Sequence, residues 1–205
     1  MEDKSKKEDN KFRIIFVLGS PGGGKNTQCD KIKAKYMIYH FSCGELLREA
    51  VAEKNEEADL INQYMKDGLI VPAKITCSLQ KKTMIKNGGK YNTYLCDGFP
   101  RNKENLDGFL EIFGKECEII SVLYIECTEE ECMRIIMKRQ GNSDRIDDNI
   151  DSLKKRFKVL EDETVPNLEN FKKFTKVHYI NGNQTPEKVF SDIDAIVKDL
   201  LVKRE

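Results

Sequence analysis

Short apolar segments alternate with longer, more polar segments along most of the chain. The apolar segments have the length of strands, and we predict five, at Phe12–Leu18, Ile38–Phe41, Tyr91–Asp97, Ile119–Glu126 and Lys176–Ile180. The other segments predict eight helices, at Lys25–Lys35, Glu45–Glu53, Glu57–Lys66, Ala73–Lys86, Lys103–Phe113, Glu129–Lys138, Asn149–Lys172 and Pro186–Lys203. Such alternation is typical of an α/β fold with a parallel sheet and helices on both faces.

Two stretches interrupt this alternation. Residues 42–71 form a helical excursion between two predicted strands, and residues 140–149 form a short polar connection flanked by arginines. We interpret both as inserts that close over ligands, within a single domain that covers residues 12–205. Residues 1–11 are almost wholly polar and lack the apolar core of a signal peptide, so we expect a disordered tail.

Composition limits the class of protein and its setting. The 205 residues are 39% apolar and 34% charged, which is typical of a soluble globular domain. Because 35 basic residues balance 35 acidic ones, the net charge gives no reason to expect a nucleic-acid or membrane partner. The seven scattered cysteines include no CxxC pair and no histidine at ligand spacing. We therefore expect free thiols, no zinc and a cytoplasmic location.

The first strand and the first helix are joined by the glycine-rich segment Gly19–Thr27. Its glycines allow backbone N–H groups to turn inward around an anion, and the helix that follows adds its positive end. Lys25 has the reach to contact the β- and γ-phosphates of a nucleotide. The segment therefore predicts a phosphate-binding loop, although Asn26 occupies the usual Ser/Thr position and the hydroxyl comes later, at Thr27.

A second motif, Asp97–Asn102, follows the third predicted strand. Because the carboxyl ends of parallel strands meet at one edge of a sheet, we expect it beside the phosphate loop. Asp97 is suited to hold Mg²⁺ through water, and the planar guanidinium of Arg101 is suited to bind a phosphate. The alternative is a turn aspartate followed by a surface arginine.

Three later arginines lie in or beside the second insert: Arg139 precedes it, Arg145 lies within it and Arg156 follows it. Guanidinium groups on a closing loop neutralise the charge that spreads over a transferring phosphoryl group. Arg156 lies in the run Lys154-Lys155-Arg156, which in isolation is more typical of a solvated helix face.

Five motifs together resemble the nucleoside monophosphate (NMP) kinases of the adenylate kinase family, and most closely the short-lid UMP-CMP kinases. They occur in the family's order from about Phe12 to the C-terminus, and they are Gly19–Cys29, Ser42–Arg48, Gly68–Pro72, Asp97–Arg101 and Arg145–Asn149. The resemblance implies the P-loop kinase fold, an NMP-binding insert at about residues 42–71 and a short lid at about residues 140–149.

The resemblance also implies roles for individual residues. ATP binding is implied for Pro21, Gly22, Gly23, Gly24, Lys25, Asn26, Thr27 and Arg139. NMP binding is implied for Ser42, Gly44, Arg48, Ile70, Val71, Gly98, Arg101, Asn102, Asn105, Arg145 and Arg156. Catalysis is implied for Lys25, Arg101, Arg139, Arg145 and Arg156, and a Mg²⁺ site, with metal-bound water, for Asp97. Arg156 thereby becomes an expected active-site residue.

No general base is expected, because the acceptor phosphate is already largely ionised at pH 7, its second pKa being about 6. Its oxygen is the nucleophile, so positioning and charge neutralisation carry the reaction. His40, His178 and the thiols are expected to be bystanders.

Asn102 and Asn105 bear on the identity of the acceptor. Adenylate kinases carry a glutamine four residues after the arginine that corresponds to Arg101, whereas two asparagines resemble the UMP-CMP kinases. Amide groups offer both a donor and an acceptor to uracil or cytosine. We therefore predict phosphoryl transfer from MgATP to UMP or CMP, and the resemblance implies a monomer. The alternatives are an AMP acceptor or a non-catalytic nucleotide-binding protein, and, for Asn102, a helix N-cap.

Three residues depart from the family pattern. Asn26 replaces a glycine and is expected to crowd the phosphates, and Asp144 replaces a glycine and is expected to weaken ATP binding or slow turnover. Ile135 occupies the position of an arginine that packs on the adenine of ATP, with Arg134 one position early. One residue turns a helical side chain by about 100°. We therefore expect loose donor selectivity.

Overall fold

The computed structural model describes residues 11–140 and 150–202, and for Arg139 and Gln140 it describes the backbone alone. All of the predicted tail except Lys11 and all of the predicted lid except Gln140 lie outside this part. The roles expected for Asp144 and Arg145 therefore stay predictions.

A five-stranded parallel sheet forms the centre of the protein, with the strand order β2-β3-β1-β4-β5. The strands are β1 (Phe12–Gly19), β2 (Tyr39–Ser42), β3 (Thr93–Asp97), β4 (Cys117–Glu126) and β5 (Val177–Asn181). All pairings are parallel. The predicted five-stranded parallel sheet is confirmed.

Helices cover both faces of the sheet. They are α1 (Lys25–Lys35), α2 (Cys43–Ala52), α3 (Ala58–Lys66), α4 (Ala73–Asn87), α5 (Lys103–Phe113), α6 (Glu129–Gln140), α7 (Ile150–Val159), α8 (Val165–Phe171) and α9 (Pro186–Val202). The long helix predicted over Asn149–Lys172 is divided, because a π-helical turn at Leu160–Thr164 separates α7 from α8. Helices α2 and α3 occupy the predicted insert between β2 and α4.

The central strand β1 shows why its apolar run is continuous rather than alternating. Ile14, Phe16 and Leu18 face a core layer that includes residues of α2, α4, α5, α7 and α8. Ile15 and Val17 face the opposite layer, where α1 and α9 pack. A parallel strand that is buried on both faces must be apolar at every position.

Four strands end at one edge of the sheet and place polar or glycine residues there. Gly19 ends β1, Ser42 ends β2, Asp97 ends β3, and Cys127 follows β4 directly. Ser42 and Val17 both lie beside Asp97 in the strand register. No helix of the described residues is long and apolar enough to cross a membrane.

Candidate active site

The turn between β1 and α1 depends on glycine at two positions. Gly22 has a φ of 80°, and a Cβ atom there would lie 2.8 Å from the side chain of Ile136. Gly24 is the N-cap of α1 and has a φ of 77°. Both residues are in the left-handed region, which disfavours residues with a Cβ atom. This backbone brings the start of α1 to the sheet edge.

The N-terminus of α1 is suited to bind an anion. Among the described residues, no side chain caps the helix, and its first turn contains no acidic residue. The first N–H groups of a helix have no partner within the helix, and the helix dipole places partial positive charge there. The first turn, Lys25-Asn26-Thr27, lines the cleft described below.

Lys25 folds back over the phosphate loop. Its Nζ donates to the carbonyl oxygens of Gly19, over 3.1 Å, and Ser20, over 2.9 Å. Burial lowers the pKa of Lys25 from its ordinary value, and the nearby carboxylate of Asp97 partly opposes that shift. An anionic phosphate would be a stronger acceptor for this ammonium group than the two neutral carbonyls.

Asp97 is a buried carboxylate at the floor of the site, with 2% of its surface exposed. Its Oδ1 atom has no hydrogen-bond partner among the described residues. Burial raises the pKa of Asp97, and the positive charge of Lys25 opposes the rise. A buried oxygen without a partner is costly, and a hydrated Mg²⁺ ion would satisfy it. The residue therefore fits the predicted magnesium site.

A cleft of about 220 Å³ connects the phosphate loop with the insert. Four cationic side chains line it, those of Lys25, Arg48, Arg101 and Arg156. The other predicted site residues that line it are Gly22, Gly24, Asn26, Thr27, Ser42, Gly44, Ile70, Val71, Asp97, Gly98 and Asn105. The sheet edge thus brings together residues from four separate parts of the sequence.

A few predicted site residues do not line the cleft. Pro21 lines a smaller neighbouring cavity of about 40 Å³, together with Lys25, Arg101 and Arg156. Gly23 is buried and donates its N–H to the carbonyl of Ser20. Arg139 lies in α6 and its side chain is outside the described part, as is all of Arg145.

Arg156 points into the site although its neighbours do not. Lys154 and Lys155 are exposed, whereas Arg156 is half-buried and borders both cavities. A Cβ atom at Gly68 would lie 3.7 Å from Cγ of Arg156, so α7 packs against the end of the insert. The solvated-face interpretation of this charge run therefore does not hold for Arg156.

Two arginines lie close to the backbone of the acceptor side. The Nε atom of Arg101 donates to the carbonyl oxygen of Gly98 over 2.8 Å. The guanidinium of Arg48 lies over Gly44, where an added Cβ atom would be 3.3 Å from Nη1. Both guanidinium groups thus lie at the cleft, where they can bind a phosphate.

Asn102 and Asn105 have different positions. Asn102 is the N-cap of α5: its Oδ1 accepts from the N–H of Asn105 over 2.9 Å, and its Nδ2 donates to Glu163. Asn102 does not line the cleft, so this geometry favours the N-cap alternative. Asn105 is 2% exposed and lines the cleft, and its Nδ2 atom has no hydrogen-bond partner among the described residues.

Sequence reasoning gave no role to several residues of the cleft, namely Cys43, Leu47, Met65, Thr76 and Phe99. Most are apolar, and apolar residues of helices give no signal that separates a binding wall from a core. Thr76 is the polar exception; its Oγ1 donates to the carbonyl of Pro72. A hydroxyl one turn into α4, just after the segment at Ile70 and Val71, is a signal that points to the cleft.

The structure clarifies two of the departures. The side chain of Asn26 is turned towards Glu45, to which it donates a hydrogen bond of 2.8 Å, rather than across the helix N-terminus. Ile135 lines the cleft, whereas Arg134 is exposed and forms an ion pair with Glu131. This placement agrees with the expectation that the side chain of Arg134 points in a different direction around the helix from that of Ile135.

The structure gives the thiols and the histidines of the described residues the features of bystanders. All seven cysteines are free, and burial raises the pKa of Cys43, the thiol that lines the cleft, to about 12. A protonated thiol is a poor nucleophile. Burial also lowers the pKa of His40, whose Nδ1 lies 3.7 Å from a carboxylate oxygen of Asp30. Neither His40 nor His178 lines the cleft.

Comparison with known proteins agrees with this geometry. The family model described as adenylate kinase matches residues 17–176. The UMP-CMP kinase of Bos taurus is 39% identical over 190 residues, which cover 89% of this chain and 95% of the bovine protein. The UMP-CMP kinase of Homo sapiens is 39% identical over 187 residues, which cover 88% of this chain and 94% of the human protein. That of Danio rerio is 38% identical over 192 residues, which cover 92% of this chain and 98% of the zebrafish protein.

Proposed function

Because the chain belongs to the adenylate kinase family of nucleoside monophosphate kinases, we propose that it transfers the γ-phosphoryl group of MgATP to UMP or CMP, giving ADP and UDP or CDP. The observation that carries the proposal is the meeting of four cationic side chains in one cleft, beside the buried carboxylate of Asp97. Phosphoryl transfer requires this concentration of positive charge around anionic substrates.

The phosphate loop binds the donor. The N–H groups of Gly22, Gly24 and the first turn of α1 surround the phosphates, and the ammonium group of Lys25 leaves its two loop carbonyls to contact them. Asp97 would hold Mg²⁺ beside the phosphates, and the ion would supply positive charge that offsets part of the phosphate charge.

Arginines bind the acceptor and the transferring group. Arg48 and Arg101 hold the phosphate of the monophosphate from two sides, since they come from the insert and from the end of β3. Arg156 neutralises charge on the transferring group from α7, with Arg139 and Arg145 as further cations near the lid. Oriented charges of this kind lower the barrier without any proton transfer by the protein.

Asn105 supports a pyrimidine acceptor. Asn105 lines the cleft, and its Nδ2 has no hydrogen-bond partner among the described residues; both uracil O4 and cytosine N3 are acceptors that can receive a hydrogen bond from it. Its Oδ1 already accepts from the N–H of Arg101 over 3.3 Å. The names of the relatives, UMP-CMP kinase, support the same choice.

A coupled assay of ADP formation with AMP, UMP, CMP and dCMP tests the proposal. We expect turnover with UMP or CMP and a kcat/KM for AMP that is at least about tenfold lower. A tenfold difference corresponds to about 1.4 kcal/mol of free energy. Preference for AMP would indicate an adenylate kinase instead. Binding of these nucleotides without any turnover would indicate a non-catalytic protein.

The proposal extends to the setting of the enzyme. We infer a monomer in the cytoplasm that requires Mg²⁺, as the family resemblance implies. Analytical ultracentrifugation with and without nucleotides tests the monomer, and titration of activity with EDTA tests the metal.

A further inference from the structure

Asn26, at the cleft, forms a hydrogen bond that joins the phosphate loop to the insert. Its Nδ2 atom donates to Oε1 of Glu45 over 2.8 Å, although the two residues lie 19 positions apart in the chain. Asn26 is the second residue of α1, and Glu45 is the third residue of α2. The bond therefore connects the first turns of two helices that follow different strands of the sheet.

The chemistry of the pair favours a directional contact. The carboxylate of Glu45 only accepts, and the amide of Asn26 donates without adding a charge beside Lys25. Both residues are half-buried, so competition from water is reduced. A hydrogen bond to a charged partner is also stronger than one between neutral groups.

Helix α2 supplies much of the acceptor side. Gly44 and Arg48 flank Glu45 in the sequence, and both line the cleft. Because Arg48 lies one turn along the same helix as Glu45, holding Glu45 against α1 also sets the distance between the Arg48 guanidinium and the phosphate loop.

We propose that Asn26 is a positioning residue that holds α2 against the phosphate loop, so that Arg48 is in place before the monophosphate binds. The inference rests on the proposed function. The donor phosphates bind at the N-terminus of α1 and the acceptor phosphate binds beside α2, so the bond links the two halves of the site. The side chain of Asn26 contacts Glu45 rather than the reacting atoms, and a substitution there leaves the backbone N–H in place, so its effect falls on acceptor binding rather than on the chemical step.

Two substitutions at this position distinguish the loss of the hydrogen bond from its replacement by a repulsive contact. Asn26→Ala removes the donor, and we expect the KM for UMP or CMP to rise about fivefold, in line with the loss of one partly exposed charge-assisted hydrogen bond. Asn26→Asp keeps the shape of the side chain but places a second carboxylate beside that of Glu45. We therefore expect a larger rise in the KM for UMP or CMP than in Asn26→Ala. For Asn26→Ala at saturating ATP, kcat should stay within about twofold of the wild-type value.

A reciprocal exchange tests the contact itself. In Asn26→Asp combined with Glu45→Gln, the new amide at position 45 donates to the new carboxylate at position 26. We expect the acceptor KM to return at least halfway, on a logarithmic scale, from the value of Asn26→Asp alone. Glu49→Gln is the matched control, because Glu49 is one turn further along α2 and exposed. It should leave the acceptor KM unchanged.

The outcomes separate the two proposals. An unchanged acceptor KM in Asn26→Ala, or no recovery in the double variant, would overturn the positioning role while the wild type still turns over UMP or CMP. Calorimetric titration of UMP and CMP makes the same comparison without turnover. A wild-type protein that neither binds nor phosphorylates any monophosphate would overturn the proposed function and the positioning role with it.

Discussion

The two sides of the cleft are built on different supports. The phosphate loop follows the central strand β1, where Ile14, Ile15 and Phe16 are fully buried. The helical insert follows the edge strand β2, and α3 contributes one buried residue, Ile61. The donor side is thus held by a core on both faces of the sheet. The acceptor side is held at the edge of the sheet, where α2 buries Cys43, Leu47 and Ala50, and by side-chain contacts such as the bond between Asn26 and Glu45.

Removing Lys25 is the strongest test of the donor side. We expect Lys25→Ala to lower kcat by about 10³-fold, because a cation that contacts the transferring phosphates contributes directly to the transition state. Lys33→Ala is the matched control, since Lys33 is exposed on the same helix. Steady-state kinetics with UMP and CMP measure the effect. A near-normal rate in Lys25→Ala would contradict the assignment of the phosphate loop.

Removing Arg101 tests the position where the two sides meet. Arg101→Ala is expected to lower kcat by about 10²-fold with the fold retained, because the guanidinium holds the acceptor phosphate in line for transfer. Lys103→Ala, at an exposed position two residues away, should have no effect. Circular dichroism checks the fold, and a loss in both variants alike would argue against a specific role of Arg101.

Removing Arg48 affects the acceptor side alone. We expect Arg48→Ala to raise the KM for the monophosphate by about tenfold to thirtyfold, the loss of a charged hydrogen bond, while the KM for ATP stays unchanged. Lys66→Ala is the control, as an exposed cation of the same insert. Equal changes in the KM for the monophosphate and the KM for ATP would show that Arg48 does not act on the acceptor side alone.

Asp97 lies at the floor shared by both sides, and its burial has a consequence for stability. The pKa of Asp97 is raised in the folded state, so its contribution to stability is favourable at low pH and is lost as pH rises through the folded pKa. We expect Asp97→Asn to be more stable than the wild type at pH 7, and the difference to shrink as pH falls towards the ordinary aspartate pKa. Urea unfolding across pH without magnesium measures this; a difference that grows on acidification would contradict it.

The smallest effect concerns the choice of donor. With Ile135 at the cleft and Arg134 paired with Glu131, we expect kcat/KM for ATP and GTP to differ by less than about tenfold. We expect Ile135→Arg to lower the KM for both donors several-fold, because an arginine stacks on the face of either purine. Ile85→Arg, on the exposed face of α4, is the control. A strict ATP preference in the wild type would contradict this prediction.

Much of the fold was predictable from local pattern. Strand β1 needed no partner to be recognised, since a run such as Ile14–Leu18 is apolar at every position only when both faces are buried. The π-helical turn at Leu160–Thr164 was not predictable, because a single inserted residue changes the helical phase without changing composition. Helix ends differed by no more than two residues from the predicted ends.

The site was predictable where a motif imposes backbone geometry. The phosphate loop, Asp97 and Arg101 follow from glycines and strand ends alone. Arg156 was ambiguous within its charge run, because helical rotation by about 100° per residue decides which of three adjacent cations faces the cleft. The start of α5 separated Asn102 from Asn105: one caps the helix and the other, one turn later, is turned into the cleft.

The sequence by itself determined the parallel sheet, the phosphate loop at its central strand and the family of the chain. Those features depend on local geometry, such as burial on both faces of a strand and left-handed glycines. The tertiary structure alone decided which polar groups share the cleft. Asn105 lines the cleft whereas Asn102 does not, and Asn26 is hydrogen-bonded to Glu45, 19 positions away in the sequence. Such contacts depend on how α1, α2 and α5 pack on the sheet. The spacing of the residues along the chain does not predict how close their side chains come in the folded protein.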